Sequence, residues 1–227
     1  MRRTVAIDPG RAASLFVDLQ EEHRQDPRYL VAGFDRLLSN VGRLQRTARG
    51  AGIPVIHSAY IVDDTVRASR PLHPAMPDGR SAFSEKDSPL SEICAEVGPV
   101  DGDTVFTKSD ASAFDGGALE RKLRGDGIEW LFVAGVWTEA CIQATAKQAV
   151  DLGFRVVLVK DACGSGSHAM HQTAILNMAN RLYGGAVTDT EGACRLMAGE
   201  TVEAWRLEGS VPLRFDYETA AGLYAGL

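Results

Sequence analysis

The stretch LFVAGVWTEACIQATAKQAV, residues 131–150, decides the fold. Leu131 to Ala134 form a fully apolar run of strand length, and Gly135 allows a sharp turn after it. Thr138 suits the N-cap of a helix that carries apolar or small residues at 142, 145, 146, 149 and 150. A buried strand that passes through a glycine turn into a helix is the building unit of a parallel α/β sheet. Cys141 falls in the first turn of that helix. There, free N–H groups and the positive end of the helix dipole lower a thiol's pKa and can hold a developing oxyanion. Taken alone, a cysteine in such a place is more often a small buried hydrophobe.

Two further segments end in the same way. In SLFVDLQEEH (14–23), Leu15, Phe16 and Val17 predict a buried parallel strand that ends on the carboxylate of Asp18. In GDTVFTKSDASAFDGGAL (102–119), the β-rich run Thr104 to Thr107 ends on Lys108. Open α/β sheets bind ligands at the carboxyl ends of their strands. An Asp there is also a common helix cap, and a Lys there is commonly solvated. Three strands that each deliver one reactive side chain at the same kind of end are a stronger signal than any one of them.

Outward from these, strand patterns fall at 12–18, 53–58, 103–107, 130–134, 155–160 and 185–187. Helical patterns fall at 28–50, 115–125, 138–152 and 168–182. The alternation predicts an α/β protein: a three-layer α/β/α, Rossmann-like arrangement around a six-stranded, mostly parallel sheet with right-handed crossovers. The connection from 59 to 90, rich in Pro, Ser and charge, is too long for a plain loop; it is expected to fold over the catalytic end as a lid or to form a subunit contact, and to govern substrate choice. The tail beyond 200 carries Trp205, Leu207, Val211, Leu213, Phe215, Tyr217 and Leu223, more apolar surface than a stray terminus bears. It is expected to be an extension, 200–227, of a single domain spanning 1–227, packing across a subunit boundary in a homo-oligomer, a dimer or tetramer.

With 227 residues and 45% hydrophobic content, the chain can bury one sizeable core. No run of eighteen apolar residues exists and the N-terminus lacks a hydrophobic signal core, so no membrane partner and a cytoplasmic location are expected. The four cysteines, 94, 141, 163 and 194, have no paired spacing and are expected to be reduced. A net charge of −6 with dispersed Lys and Arg disfavours nucleic-acid binding. Arg43, Arg46 and Arg49 sit at helical spacing and are expected to form a solvated face. VVLVKDACGSGSHAMHQTAI (156–175) fits neither common phosphate-loop pattern and is better explained as a turn capping the next helix, with His168 and His171 solvated or capping.

Three ordered motifs carry a family resemblance: VDLQEEH (17–23), KSDASAF (108–114) and AGVWTEAC (134–141). Together they resemble the isochorismatase-like cysteine hydrolases, a group that includes nicotinamidases, N-carbamoylsarcosine amidase and ureidoacrylate hydrolases. The similarity covers roughly residues 12 to 195. It implies Asp18 as general base and acid, Lys108 as the group that aligns Asp18 with the sulfur, and Cys141 as nucleophile. It also implies a non-proline cis peptide at Val136–Trp137 that turns the Trp137 N–H beside the Cys141 N–H, forming an oxyanion hole and substrate-binding element. Asp161 and Cys163 match a structural Asp-Ala-Cys turn of the family.

Two departures from the family narrow the substrate. Nicotinamidases bind a metal through an Asp-x-His element, which HSAYIVDDTVRASRPLHP (57–74) lacks; His57, Asp63, Asp64 and His73 are therefore expected to be scattered polar residues, with no metal and no cofactor. Trp137 occupies a position that is commonly small in nicotinamidases, where its indole either shapes the pocket or fills the core. The expected activity is cleavage of the C–N bond of a small amide, carbamoyl or ureido compound through a thioester on Cys141, releasing ammonia or an amine. The alternatives are a vinyl-ether hydrolase on the same fold and a non-catalytic scaffold relative.

Overall fold

The computed structural model describes residues 1–209 and 213–227. The strands are β1 (Arg2–Val5), β2 (Ala12–Val17), β3 (Val55–Tyr60), β4 (Thr104–Lys108), β5 (Trp130–Val136), β6 (Arg155–Gly164), β7 (Ala186–Thr188) and β8 (Val202–Trp205). The helices are α1 (Glu22–Gln25), α2 (Phe34–Gly50), α3 (Asp64–Ser69), α4 (Ala118–Gly125), α5 (Gln143–Asp151), α6 (His168–Ala179), α7 (Thr190–Met197) and α8 (Ala220–Ala225).

The strands form one sheet in the order β1-β8-β7-β6-β5-β2-β3-β4. It has eight strands, not the six expected. The six expected ones are the parallel core, β2 to β7; β1 and β8 pair antiparallel with each other, and β8 also pairs antiparallel with β7. Helices cover both faces, so the central strands are apolar on both sides. In β2, Ala12 and Phe16 join the core under α2 and α7, while Ala13, Leu15 and Val17 join the core under α4, α5 and α6. Burying each such large side chain contributes about 1.5–3 kcal/mol, which outweighs any local preference of AASLFV for another conformation.

From β2 the chain proceeds to β3 and β4 on one side, then returns to β5 on the other side of β2. The order therefore reverses between β2 and β5, where crevices open at the strand ends of α/β sheets. Gly135 is not the turn expected there; it lies inside β5, opposite Val17, where the β5–β6 register shifts. It has φ +128°, and a Cβ on it would stand 2.1 Å from the Val17 carbonyl oxygen. Only glycine permits this approach of β5 to the residue before Asp18.

The tail uses much of its apolar surface within its own chain. β8 completes the sheet, and Leu213, Phe215, Leu223 and Tyr224 pack on the core beneath α6. Val211, one of the apolar residues noted in the tail, lies outside the described residues.

Candidate functional site

Asp18 follows the last residue of β2 and adopts a left-handed backbone with φ 53°. Asp tolerates this region better than most residues, and such outliers concentrate where surrounding structure fixes a functional geometry. The Asp18 N–H donates to the Ser58 carbonyl at the end of β3, at 2.9 Å. Lys108 is the last residue of β4, and its side chain is buried beside that carboxylate.

The Lys108 ammonium organises the site. Its Nζ lies 2.7 Å from Asp18 Oδ2, donates to the Asp110 carbonyl at 3.0 Å and donates to Cys141 Sγ at 3.4 Å. Two of its N–H groups thus meet acceptors, and its charge stands beside a carboxylate. It also stands 4.5 Å from the centroid of the Tyr60 ring. The ion pair is close but not aligned as a hydrogen bond, so neither Asp18 oxygen has a hydrogen-bond donor. The carboxylate retains capacity to accept a proton. Burial raises the Asp18 carboxyl above the usual carboxylate range, against the pull of Lys108. Burial opposes the Lys108 charge too, yet Asp18 and Cys141 outweigh it and its net shift is upward.

Cys141 sits on a five-residue π-helical turn, Thr138–Ile142, rather than in the first α-helical turn expected. The Trp137 carbonyl accepts from both the Ala140 and Ile142 N–H groups. Wider turns of this kind are enriched at functional sites. The expectation of a depressed thiol is corrected here: burial, reinforced by the Asp18 charge and opposed by Lys108, pushes the Cys141 thiol up to about 12. Burial is the first cause of both upward shifts, and the ammonium of Lys108 opposes each.

Thr138 is not a helix cap. Its hydroxyl donates to the Gly164 carbonyl at 2.9 Å and meets His171 Nδ1 at 2.8 Å. His171 is buried, not solvated, and its Nε2 meets the Tyr224 hydroxyl at 3.0 Å. Burial lowers its pKa to about 4, so the ring is neutral near pH 7. Donor and acceptor roles follow from that: Tyr224 O–H donates to Nε2, Nδ1–H donates to Thr138 Oγ1, and Thr138 O–H donates to Gly164. Ser167 caps α6 through the Met170 N–H, as the turn before that helix predicts.

A cavity of about 460 Å³ opens over Asp18 and Cys141. Val136 and Trp137 line it, joined by a cis peptide bond. The Trp137 indole N–H donates to His23 Nδ1 at 3.2 Å, which places the proton of the neutral ring on Nε2. The indole therefore helps shape the pocket. Other lining residues escaped the sequence: Glu22 and His23, which stand within the quoted VDLQEEH motif, Tyr60 at the end of β3, and Phe83 and Ser84 from the long 59–90 connection. Gln20 clamps that connection, donating to the Tyr60 and Ser91 carbonyls and accepting from the Tyr60 N–H.

The side chains weighed as metal ligands are dispersed. His57 meets Asp103 at 3.2 Å, Asp63 caps α3 through the Val66 N–H, and His73 meets Ser81 Oγ at 2.6 Å. Among the described residues, no group of three or more His, Cys, Asp or Glu side chains is placed to hold a metal ion. No described helix is long and apolar enough to cross a membrane.

A crevice at the switch point of a mostly parallel α/β sheet, with a carboxylate and a thiol on its floor and an ammonium buried behind them, defines the class of protein. A model of the isochorismatase domain matches residues 12–192, and the chain belongs to the isochorismatase family. It is 26% identical over 189 residues to N-carbamoylsarcosine amidase of an Arthrobacter species, covering 80% of this chain and 70% of that one. It is 28% identical over 200 residues to maleamate amidohydrolase of Pseudomonas putida, covering 83% and 89% respectively. Its fold matches the crystal structure of an isochorismatase family protein from Desulfovibrio vulgaris with a TM-score of 0.71, at 26% identity over 83% of this chain and 98% of that one.

Proposed function

We propose that this protein is a cysteine-dependent amidohydrolase that cleaves the C–N bond of a small amide, carbamoyl or ureido compound through a thioester on Cys141. The observation that carries this is one ammonium within 2.7 Å of Asp18 and 3.4 Å of Cys141, beneath a cavity of small-molecule size. The amidase and amidohydrolase names of the two relatives support the same bond type.

Asp18 takes the proton of the Cys141 thiol, and the sulfur attacks the carbonyl carbon. The N–H groups of Trp137 and Cys141 hold the tetrahedral oxyanion. Asp18 returns the proton to the departing nitrogen, the C–N bond breaks, and ammonia or an amine leaves the thioester behind. Asp18 then deprotonates a water that attacks the thioester; the acid is released and the sulfur regains its proton. Lys108 keeps one positive charge beside the shared proton throughout.

A homo-oligomer, dimer or tetramer, belongs to the same proposal, with exposed Tyr217 in the tail as a contact. Four free cysteines, three of them buried, suit a reducing cytoplasmic setting. The activity is tested by ammonia release from a panel of small amides, ureides and vinyl ethers. We expect release from amides or ureides by the wild-type protein and none by Cys141→Ala; full hydrolysis by Cys141→Ala would overturn the assignment of nucleophile.

A further inference from the structure

The ionisable groups around the cavity can be paired off, and one is left over. Asp18 is balanced by Lys108. Arg28, at the rim, is held by both oxygens of Asp26, at 3.0 and 2.6 Å. His23 is neutral near pH 7, because burial lowers its pKa to about 4. The remaining group is Glu22, which lines the cavity and is only 4% exposed. Its oxygens accept from the Ser84 N–H at 2.8 Å and the Ser84 hydroxyl at 2.7 Å, and the neutral ring of His23 stands 3.9 Å away. Among the described residues no Lys or Arg forms an ion pair with it, and the chemistry proposed above does not use it. The neighbouring walls are aromatic: Phe83 contacts both Tyr29 and Tyr60, each with ring centroids 5.6 Å apart.

We propose that Glu22 sets the charge of the substrate, so that the enzyme takes small amides whose end remote from the scissile carbonyl carries an ammonium nitrogen and turns away those with a carboxylate there. This rests on the amidohydrolase reading and deepens it. A carboxylate entering this cavity meets a buried acid with every nearby cation already engaged, a juxtaposition that discriminates strongly against a ligand. An ammonium supplies the missing counter-charge, and aromatic walls accommodate an alkylated cation. Burial raises the Glu22 carboxyl, and the charges of Asp18 and Asp26 add to that; an ammonium beside it acts in the opposite direction.

The test uses three amides of matched length: γ-aminobutyramide, γ-hydroxybutyramide and succinamate. Their binding to the full-length Cys141→Ala protein is measured by calorimetry, alone and with Glu22→Gln added. γ-Aminobutyramide is expected to bind about tenfold or more tighter than succinamate, with the hydroxyl compound between them, and Glu22→Gln is expected to bring the ratio close to one. Succinamate binding as tightly as γ-aminobutyramide, no binding of γ-aminobutyramide, or a ratio unchanged by Glu22→Gln would each overturn the proposal. If Glu22→Gln does not fold, the ranking of the three ligands decides alone. Ammonia release by the wild-type protein is followed in parallel. Charge-graded binding without release counts against the hydrolase reading and for Glu22; release without charge preference does the reverse.

Discussion

At the residue scale, the site sets two buried acids, Asp18 and Cys141, beside one ammonium. Asp18 and Cys141 are both raised, the thiol to about 12, so Cys141 holds its proton across the neutral range. The proposed attack needs an ionised Asp18 to receive the thiol proton. The sign follows directly. As pH falls through the raised Asp18 pKa the base is lost and the rate drops; on the alkaline side, no loss follows until the thiol itself ionises. The profile of kcat/KM is expected to show an acid limb above the ordinary aspartate value of about 4 and a plateau extending beyond about pH 9, past the ordinary thiol value of about 8.5. An alkaline limb near that ordinary thiol value would show that Cys141 titrates as an exposed thiol and would contradict the geometry.

At the element scale, the turn between β5 and α5 is held from behind by the directional chain from Tyr224 of α8 through His171 of α6 to Thr138. Tyr224→Phe leaves His171 Nε2 without its donor, a cost of about 1–3 kcal/mol by urea denaturation. Because Thr138 adjoins Trp137, the same change is expected to lower kcat several-fold with little effect on KM; an unchanged kcat at reduced stability would limit the chain to a structural role. The legibility of the fold divides along similar lines. β2, β5 and β6 are apolar on both faces, so continuous hydrophobic runs announce them; Asp18 stands out as the charge that ends one, and Lys108 as the charge that ends the β-rich edge strand β4. β1, with the sequence RRTV and three exposed residues, and β8, VEAW, are short edge strands whose character comes from pairing with each other, so neither shows a pattern of its own. Gly135 looks like a turn residue, yet its reason is the 2.1 Å approach of Val17, a contact 118 positions away in the chain. His171 resembles a solvated helix histidine until Tyr224 docks over it, 53 residues later. Phe83 reaches the pocket from a connection with no periodicity at all, so nothing local marks it.

At the scale of the whole molecule, the switch point between β2 and β5 brings three distant segments together, and the long 59–90 connection closes one side of the cavity they form. The tail docks β8 and α8 on the chain's own core while leaving Tyr217 99% exposed. Light scattering on the full chain is expected to give the mass of a dimer or tetramer, and on a chain ending at Gly209 a smaller assembly; equal masses would remove the tail from the subunit contact. The central claim is narrower than the assembly: a carbonyl carbon becomes bonded to the sulfur of Cys141 during turnover. It is tested most directly by mass spectrometry of the protein quenched in acid during turnover of an amide that it cleaves. The account predicts an acyl adduct on the peptide containing Cys141, absent when Cys141 is Ala; sustained ammonia release with no adduct, and with Cys141→Ala still active, would contradict it.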